Sequence, residues 1–172
     1  MFKNIVLSLL LVVISSVVYA APKGSGPEIG QTVPKLYGRA LNDDLYSLKK
    51  DIGRVKVINF FWVECHPCRK ELPELAKLEQ KYQDIKFISV HTSLHKKTEE
   101  PETVVKFIQS LKAAPSNIVL TTGKNLGEIF NIIGLPHTMV LDKDNTVLMN
   151  ISGYDKKSMK KLLATLQRIT KK

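Results

Sequence analysis

The sequence predicts an α/β domain built on a mixed central sheet flanked by helices. Three observations carry this reading. Residues 55–62 are apolar at nearly every position and rich in β-branched and aromatic side chains, the pattern of a strand buried on both faces. Residues 66–82 keep Leu72, Leu75, Leu78 and Tyr82 at helical spacing, and residues 85–90 then repeat the buried-strand pattern. Residues 138–142 and 146–151 flank the turn signal Lys143-Asp144-Asn145 and read as a hairpin ahead of a last helix. Strand, helix, strand, then a terminal hairpin and helix is the order of one such domain.

The remaining elements follow in chain order. Short apolar stretches around Leu36-Tyr37 and Leu45-Tyr46 flank Asn42-Asp43-Asp44, which predicts a small N-terminal hairpin. Residues 101–112 place Val104, Phe107, Ile108 and Leu111 on one helical face. Residues 117–121 read as a third buried strand, and Leu126, Ile129 and Phe130 mark a short helix after it. In the closing helix Met159, Leu162, Leu163, Leu166 and Ile169 recur at helical spacing. Lys156, Lys157, Lys160 and Lys161 then form its solvated face, with Lys171 and Lys172 at its end.

The first 20 residues read differently. Met1-Phe2-Lys3 carries one positive charge, an apolar run of 14 positions covers residues 5–18, and Val18-Tyr19-Ala20 precedes the polar stretch Ala21-Pro22-Lys23-Gly24-Ser25-Gly26. This is the layout of a secretory signal peptide cleaved after Ala20. A retained membrane anchor would need roughly 20 apolar residues. Residues 21–30 read as a flexible lead-in and residues 31–172 as the folded domain. Export places the chain in the periplasm or on the outer face of the cytoplasmic membrane, where disulfides persist.

Beyond Ala20 there are 25 basic and 16 acidic residues, a net charge of +9. That charge is compatible with weak contact with an anionic membrane surface. Export and the absence of an aromatic-basic motif argue against nucleic acid as a partner.

The only two cysteines stand in Cys65-His66-Pro67-Cys68, where a buried strand feeds a helix. A disulfide across so short a loop stabilises little, because disulfides act mainly by constraining long loops of the unfolded chain. A zinc site would need a second pair of ligands, and no other cysteine exists to supply one. Redox chemistry is the favoured reading. A helix N-terminus offers unpaired N–H groups and partial positive charge, both of which favour a thiolate. Cys65 falls there as the exposed nucleophile, and Cys68, one turn on, as the more buried resolving thiol. Pro67 is tolerated in the first turn because its missing N–H has no helical partner there. His66 can add a positive charge or a hydrogen bond beside the thiolate, whereas Glu64 opposes the thiolate if it lies close and poorly solvated.

The run Cys65-His66-Pro67-Cys68-Arg69-Lys70-Glu71-Leu72-Pro73 resembles the C-x-x-C-x-x-E-x-P motif of the TlpA/ResA/DsbE branch of exported thioredoxin-like proteins. Gly134-Leu135-Pro136-His137-Thr138 resembles that family's G-x-P-x-T loop. The resemblance covers about residues 30–170. It implies a thioredoxin-like fold with an N-terminal hairpin and a central insertion before residue 117. It also implies that Cys65 attacks a partner's disulfide, that Cys68 resolves the mixed disulfide, and that Pro136 is cis in a loop beside Cys65. Glu71 takes the place of a family acid near the buried cysteine, and Pro73 is expected to bend the helix. Two positions depart from the pattern: Glu64 stands where tryptophan commonly precedes the first cysteine, and His137 follows Pro136, where it is expected near the dithiol.

The function expected is that of a cell-envelope thiol-disulfide oxidoreductase. Its partners are protein thiols or disulfides and a membrane redox donor or acceptor, and no cofactor or metal is called for. The resemblance favours a reductant with selected partners, such as those of cytochrome c maturation; His66 keeps an oxidant or isomerase open. A thioredoxin-like copper protein using Cys65, Cys68 and His137 is the alternative from another class, since Cu(I) favours thiolates. A peroxidase is disfavoured by Trp62, where peroxiredoxins place Thr or Ser. His91 and His95 read as ordinary surface or core histidines.

Overall fold

The computed structural model describes residues 26–42, 44–92, 100–121 and 126–171. The expected signal segment, residues 21–25 of the lead-in, Asp43, His95 and Lys172 lie outside the described residues.

The N-terminal hairpin is present as β1 (Tyr37–Ala40) and β2 (Leu45–Ser47), paired antiparallel and followed by a 3-10 turn at Leu48–Asp51. Its turn is tied locally by Asn42, whose side-chain amide donates to Asp44 Oδ2 at 2.8 Å. Next come β3 (Lys56–Phe61), α1 (Cys68–Lys81), β4 (Lys86–His91), α2 (Pro101–Gln109) and β5 (Ile118–Leu120). The chain closes with α3 (Leu126–Ile129), β6 (His137–Leu141), β7 (Val147–Ser152) and α4 (Lys156–Thr170).

These strands form one seven-stranded mixed sheet in the order β2-β1-β5-β4-β3-β6-β7. β3, β4 and β5 run parallel, while β6 pairs antiparallel with β3 and β7 with β6. The hairpin extends the other side of the sheet, through an antiparallel pairing of β1 with β5.

β3 holds the interior together because all six of its residues are buried. Alternation sends Ile58 and Phe60 to one face of the sheet and Val57, Asn59 and Phe61 to the other. The first face packs Phe60, Ile88, Val90, Met139 and Leu141 under Leu36, Leu48, Leu126 and Phe130. The second carries α1, α2 and α4: Val57, Phe87 and Val140 meet Leu75, Leu162 and Leu166, and Phe61 meets Leu72, Val104 and Phe107. The lead-in also belongs to the fold from Gly26 onward. It runs along the β7 side, with Gly30 N–H donating to the Val147 carbonyl (2.8 Å) and Val147 N–H to the Gln31 carbonyl (2.9 Å).

Helix ends follow from capping chemistry. Asp155 caps α4, its Oδ1 accepting from the backbone N–H of Ser158 at 2.6 Å. α2 stops at Gln109, short of the expected residue 112, with Ser110 as its C-cap, whose hydroxyl donates to the Phe107 carbonyl at 2.7 Å. Pro73 lies inside α1 without ending it. It lacks the N–H that would have bonded the Arg69 carbonyl.

Phe60 is fully buried, with its ring 5.1 Å from that of Phe130. Phe60→Ala should lower folding stability by about 3–5 kcal/mol, read as a lower urea midpoint at unchanged slope.

Candidate active site

The site forms where β3 runs out. After Phe61 the chain turns through Trp62–Glu64, and Cys65 N–H donates to the Trp62 carbonyl at 3.1 Å. A second turn follows, in which Cys68 N–H donates to the Cys65 carbonyl (3.1 Å). α1 then begins at Cys68 with Pro67 as its N-cap. The helix therefore starts two residues later than the sequence periodicity suggests. Pro67 stands just outside it with helical φ/ψ of −63° and −29°, and its carbonyl accepts from Lys70 and Glu71.

Cys65 and Cys68 are joined by a disulfide, with their Cα atoms 5.3 Å apart. The two sulfurs differ in access. Cys65 is 9 % exposed and Cys68 not at all, so an incoming thiolate meets Cys65 first. Cys68 N–H also lies 3.3 Å from Cys65 Sγ, donating to it from the first turn of α1. The same donor is in place for a Cys65 thiolate, and the helix dipole acts in the same direction. His66 and Glu64 are both exposed to solvent.

One turn beyond Cys68, Glu71 is buried at 2 % exposure between α1 and the sheet. Its two oxygens are held from two strands. Asn59 Nδ2 on β3 donates to Oε2 at 2.7 Å, and Thr138 Oγ1 on β6 donates to Oε1 at 3.0 Å. Asn59 and Thr138 are themselves direct cross-strand partners, with Asn59 Nδ2 also donating to Thr138 Oγ1 at 2.9 Å. Burial pushes the Glu71 carboxyl up to about 7, against the opposing pull of the bonds from Thr138 and Asn59; the nearby charge of Glu74 adds to the rise. Glu71 is therefore no ordinary surface residue of a helix. It is a carboxyl able to hold or release a proton near neutrality.

The walls of the site are apolar. Leu135 and Trp62 pack against the cluster that contains both cysteines, and the peptide bond from Leu135 to Pro136 is cis. α2 is fastened beside α1 by Arg69, whose guanidinium lies 4.5 Å from the Phe107 ring centroid and donates to Ser110 Oγ at 3.0 Å.

His137 goes elsewhere. It pairs with Phe60 across β3 and β6, so its side chain takes the face opposite to Asn59, Thr138 and α1. There it is fully buried against Gly26, where an added Cβ would fall 2.6 Å from Nε2, and burial lowers its proton affinity. The expectation that His137 lies near the dithiol is corrected by strand alternation. The copper reading thereby loses its third ligand. His91 is a core histidine, buried with its ring 5.5 Å from that of Phe61.

Sequence reasoning did not name Asn59, and it named Thr138 only as the last residue of the G-x-P-x-T loop. The available signal was Asn59, the one polar side chain inside an otherwise apolar strand interior, 57–61.

A helix-start disulfide at the end of a buried parallel strand, above a buried carboxyl, defines a thioredoxin-like thiol-disulfide oxidoreductase of the TlpA/ResA/DsbE type. The chain belongs to the Redoxin family, whose model matches residues 28–166. It is 25 % identical over 174 residues to the thiol-disulfide oxidoreductase ResA of Bacillus thuringiensis subsp. konkukian, covering 99 % of this chain and 96 % of ResA. It is 25 % identical over 143 residues to the thioredoxin-like protein YneN of Bacillus subtilis, covering 82 % of each chain. The thioredoxin domain of a thiol-disulfide oxidoreductase from Bacteroides vulgatus superposes with a TM-score of 0.67 at 23 % identity, covering 79 % of this chain and 98 % of that one.

Glu71 also makes stability depend on pH. Its proton affinity is higher in the folded chain than the ordinary carboxyl value of 4.5. Its favourable contribution is thus complete below that value and is lost as pH rises through about 7. Glu71→Gln removes this dependence. In the oxidised protein its stability relative to the parent should rise from pH 5 to pH 8, by on the order of 3 kcal/mol, followed by urea denaturation at each pH.

Proposed function

We propose that this protein is an exported reductant of the cell envelope that passes two electrons from its Cys65/Cys68 dithiol to disulfides of selected partner proteins. The pairing of an accessible Cys65 with a buried Cys68 one helical turn from Glu71 carries the reading. In the reduced protein the Cys65 thiolate attacks one sulfur of the partner's disulfide. A mixed disulfide forms and the first partner thiolate leaves. Cys68 then gives its proton to the Glu71 carboxylate and attacks the Cys65 sulfur. The Cys65–Cys68 disulfide forms, the second partner thiolate leaves, and the partner has gained two electrons. The loop of Leu135 and Pro136 flanks Cys65, where the Leu135 backbone can pair with a partner segment. His66, exposed beside the nucleophile, supports the Cys65 thiolate from the solvent side.

Apocytochrome c or its maturation machinery is the partner class the TlpA/ResA/DsbE resemblance favours, with a membrane redox protein returning the dithiol to its reduced state. The signal-peptide layout of residues 1–20 supports a periplasmic or outer-face location.

Cys68→Ala should trap partners as mixed disulfides through Cys65 in envelope extracts, and Cys65→Ala should trap none. The direction of transfer is read from the dithiol potential. A value near about −270 mV matches a reductant, and one near about −120 mV would make the protein an oxidant instead.

A further inference from the structure

Asn59 contributes to the site in a way that its hydrogen bonds make specific. Its amide nitrogen serves both Glu71 Oε2 and Thr138 Oγ1, while its amide oxygen is buried with no partner. A buried acceptor without a donor is uncommon, and one beside an ionisable group calls for a reason. An ionised carboxylate can only accept hydrogen bonds, whereas a carboxylic acid must also donate one. The donors present around Glu71, Asn59 Nδ2 and Thr138 Oγ1, therefore suit the anion.

We propose that Asn59 is a positioning residue for Glu71, its amide turning by half a revolution to donate to the carboxylate or accept from the carboxylic acid. The assignment rests on the proton-accepting part given above to Glu71. With the amide as it stands, both carboxylate oxygens are bonded. After the turn, Oδ1 takes the place of Nδ2 and accepts the Glu71 Oε2–H, and the single Thr138 hydroxyl proton is shared between Oε1 and Oδ1, 3.0 and 2.9 Å from Oγ1. The carboxyl therefore stays in one position through both halves of the proton cycle and need not swing out to solvent. The two ends of the amide are nearly equal in size, and the end turned away from Glu71 is the one without a partner in either state. Aspartate at this position would only accept and would repel Glu71, and leucine would do neither.

The surrounding charges do not take over this task. Among the described residues, Glu71 feels the charge of Glu74 on the same helix, whose Oε1 accepts from the Tyr154 hydroxyl at 2.9 Å. The elements facing it supply Asn59 from β3 and Thr138 from β6, both uncharged, and the Tyr154 hydroxyl between β7 and α4. The proton affinity of that hydroxyl is raised by burial, by its bond to Glu74 and by the charges of Glu74 and Glu71. Cys68 joins as a titratable neighbour only when reduced.

The test is an NMR titration of the full chain, following the Glu71 carboxyl carbon and the Asn59 side-chain amide together in the oxidised and reduced protein. The amide resonances should move with the Glu71 midpoint. Asn59→Leu should raise that midpoint by about one pH unit, because a hydrogen bond to the anion is stronger than one from the acid. Thr138→Val leaves Asn59 in place and serves if the leucine variant does not fold: the midpoint should rise while the Asn59 amide still follows it. An amide that ignores the Glu71 titration in the parent chain, or a midpoint unmoved in Asn59→Leu, overturns the assignment. The pH dependence of the dithiol potential separates the two layers. If the Glu71 midpoint moves with the Asn59 variant and the break in potential against pH does not, Asn59 positions Glu71 as inferred and Glu71 is not the proton acceptor for Cys68.

Discussion

β3 is hydrogen-bonded on both edges and covered on both faces, and the remaining architecture answers to that. A strand with apolar residues at consecutive positions cannot face water on either side, so helices or loops must cover both. On one face Phe60 draws in Phe130 together with Val33 and Leu36 from the segment before β1; on the other Val57 and Phe61 draw in α1, α2 and α4. α1 is fixed against β3 by this requirement, and the dithiol is fixed by α1. The accessible sulfur ends up at the sheet's carboxyl edge, because a strand that feeds directly into its covering helix has nowhere else to turn.

Within that apolar strand the single interior exception is Asn59, and its consequence is equally constrained. A buried amide needs partners, and those within reach are the residue opposite on β6 and the helix above. Thr138 and Glu71 fill these places. The network is thus built where three elements meet, and it joins the redox helix to the strand that follows Pro136. A carboxyl at that junction is shielded from water, which raises its proton affinity, and is bonded by two neutral donors, which lowers it again. The balance falls near neutrality, in contrast to a surface glutamate, which stays ionised there.

The elements of this fold were legible because each rests on local pattern: consecutive apolar residues for β3 and β4, 3.6-residue spacing for α1 and α4, and turn chemistry at Lys143-Asp144-Asn145. Cys65 and Cys68 were legible from their own four-residue spacing, and Glu71 only through the C-x-x-C-x-x-E-x-P resemblance. Asn59 was not, and Thr138 was legible only as the last residue of the G-x-P-x-T loop, since the two meet across 79 positions and only the register of β3 on β6 brings them together. His137 shows the cost of lacking that register. It neighbours Thr138 in sequence and Pro136 in the loop, yet one residue of offset sends it to the opposite face. Proximity along the chain predicted contact with the dithiol, and strand alternation decided otherwise.

Lys56 and Glu71, buried on β3 and against it, are stabilised by different means. Lys56, at the strand's start, is fully buried, and its ammonium donates to the backbone carbonyl of Asp51 at 3.0 Å and to that of Lys143 at 3.4 Å. Burial lowers its proton affinity, while Asp51, Asp142 and Asp144 favour the charged form. Backbone carbonyls can only accept, so the lysine they bind is held as a donor, tying the 3-10 turn to the β6–β7 turn. Glu71, beside the dithiol, is bound instead by an amide and a hydroxyl, groups able to donate or accept. A fixed partner set suits a charge that only holds the fold together. A reversible partner set suits a proton that comes and goes, as the role proposed for Glu71 requires.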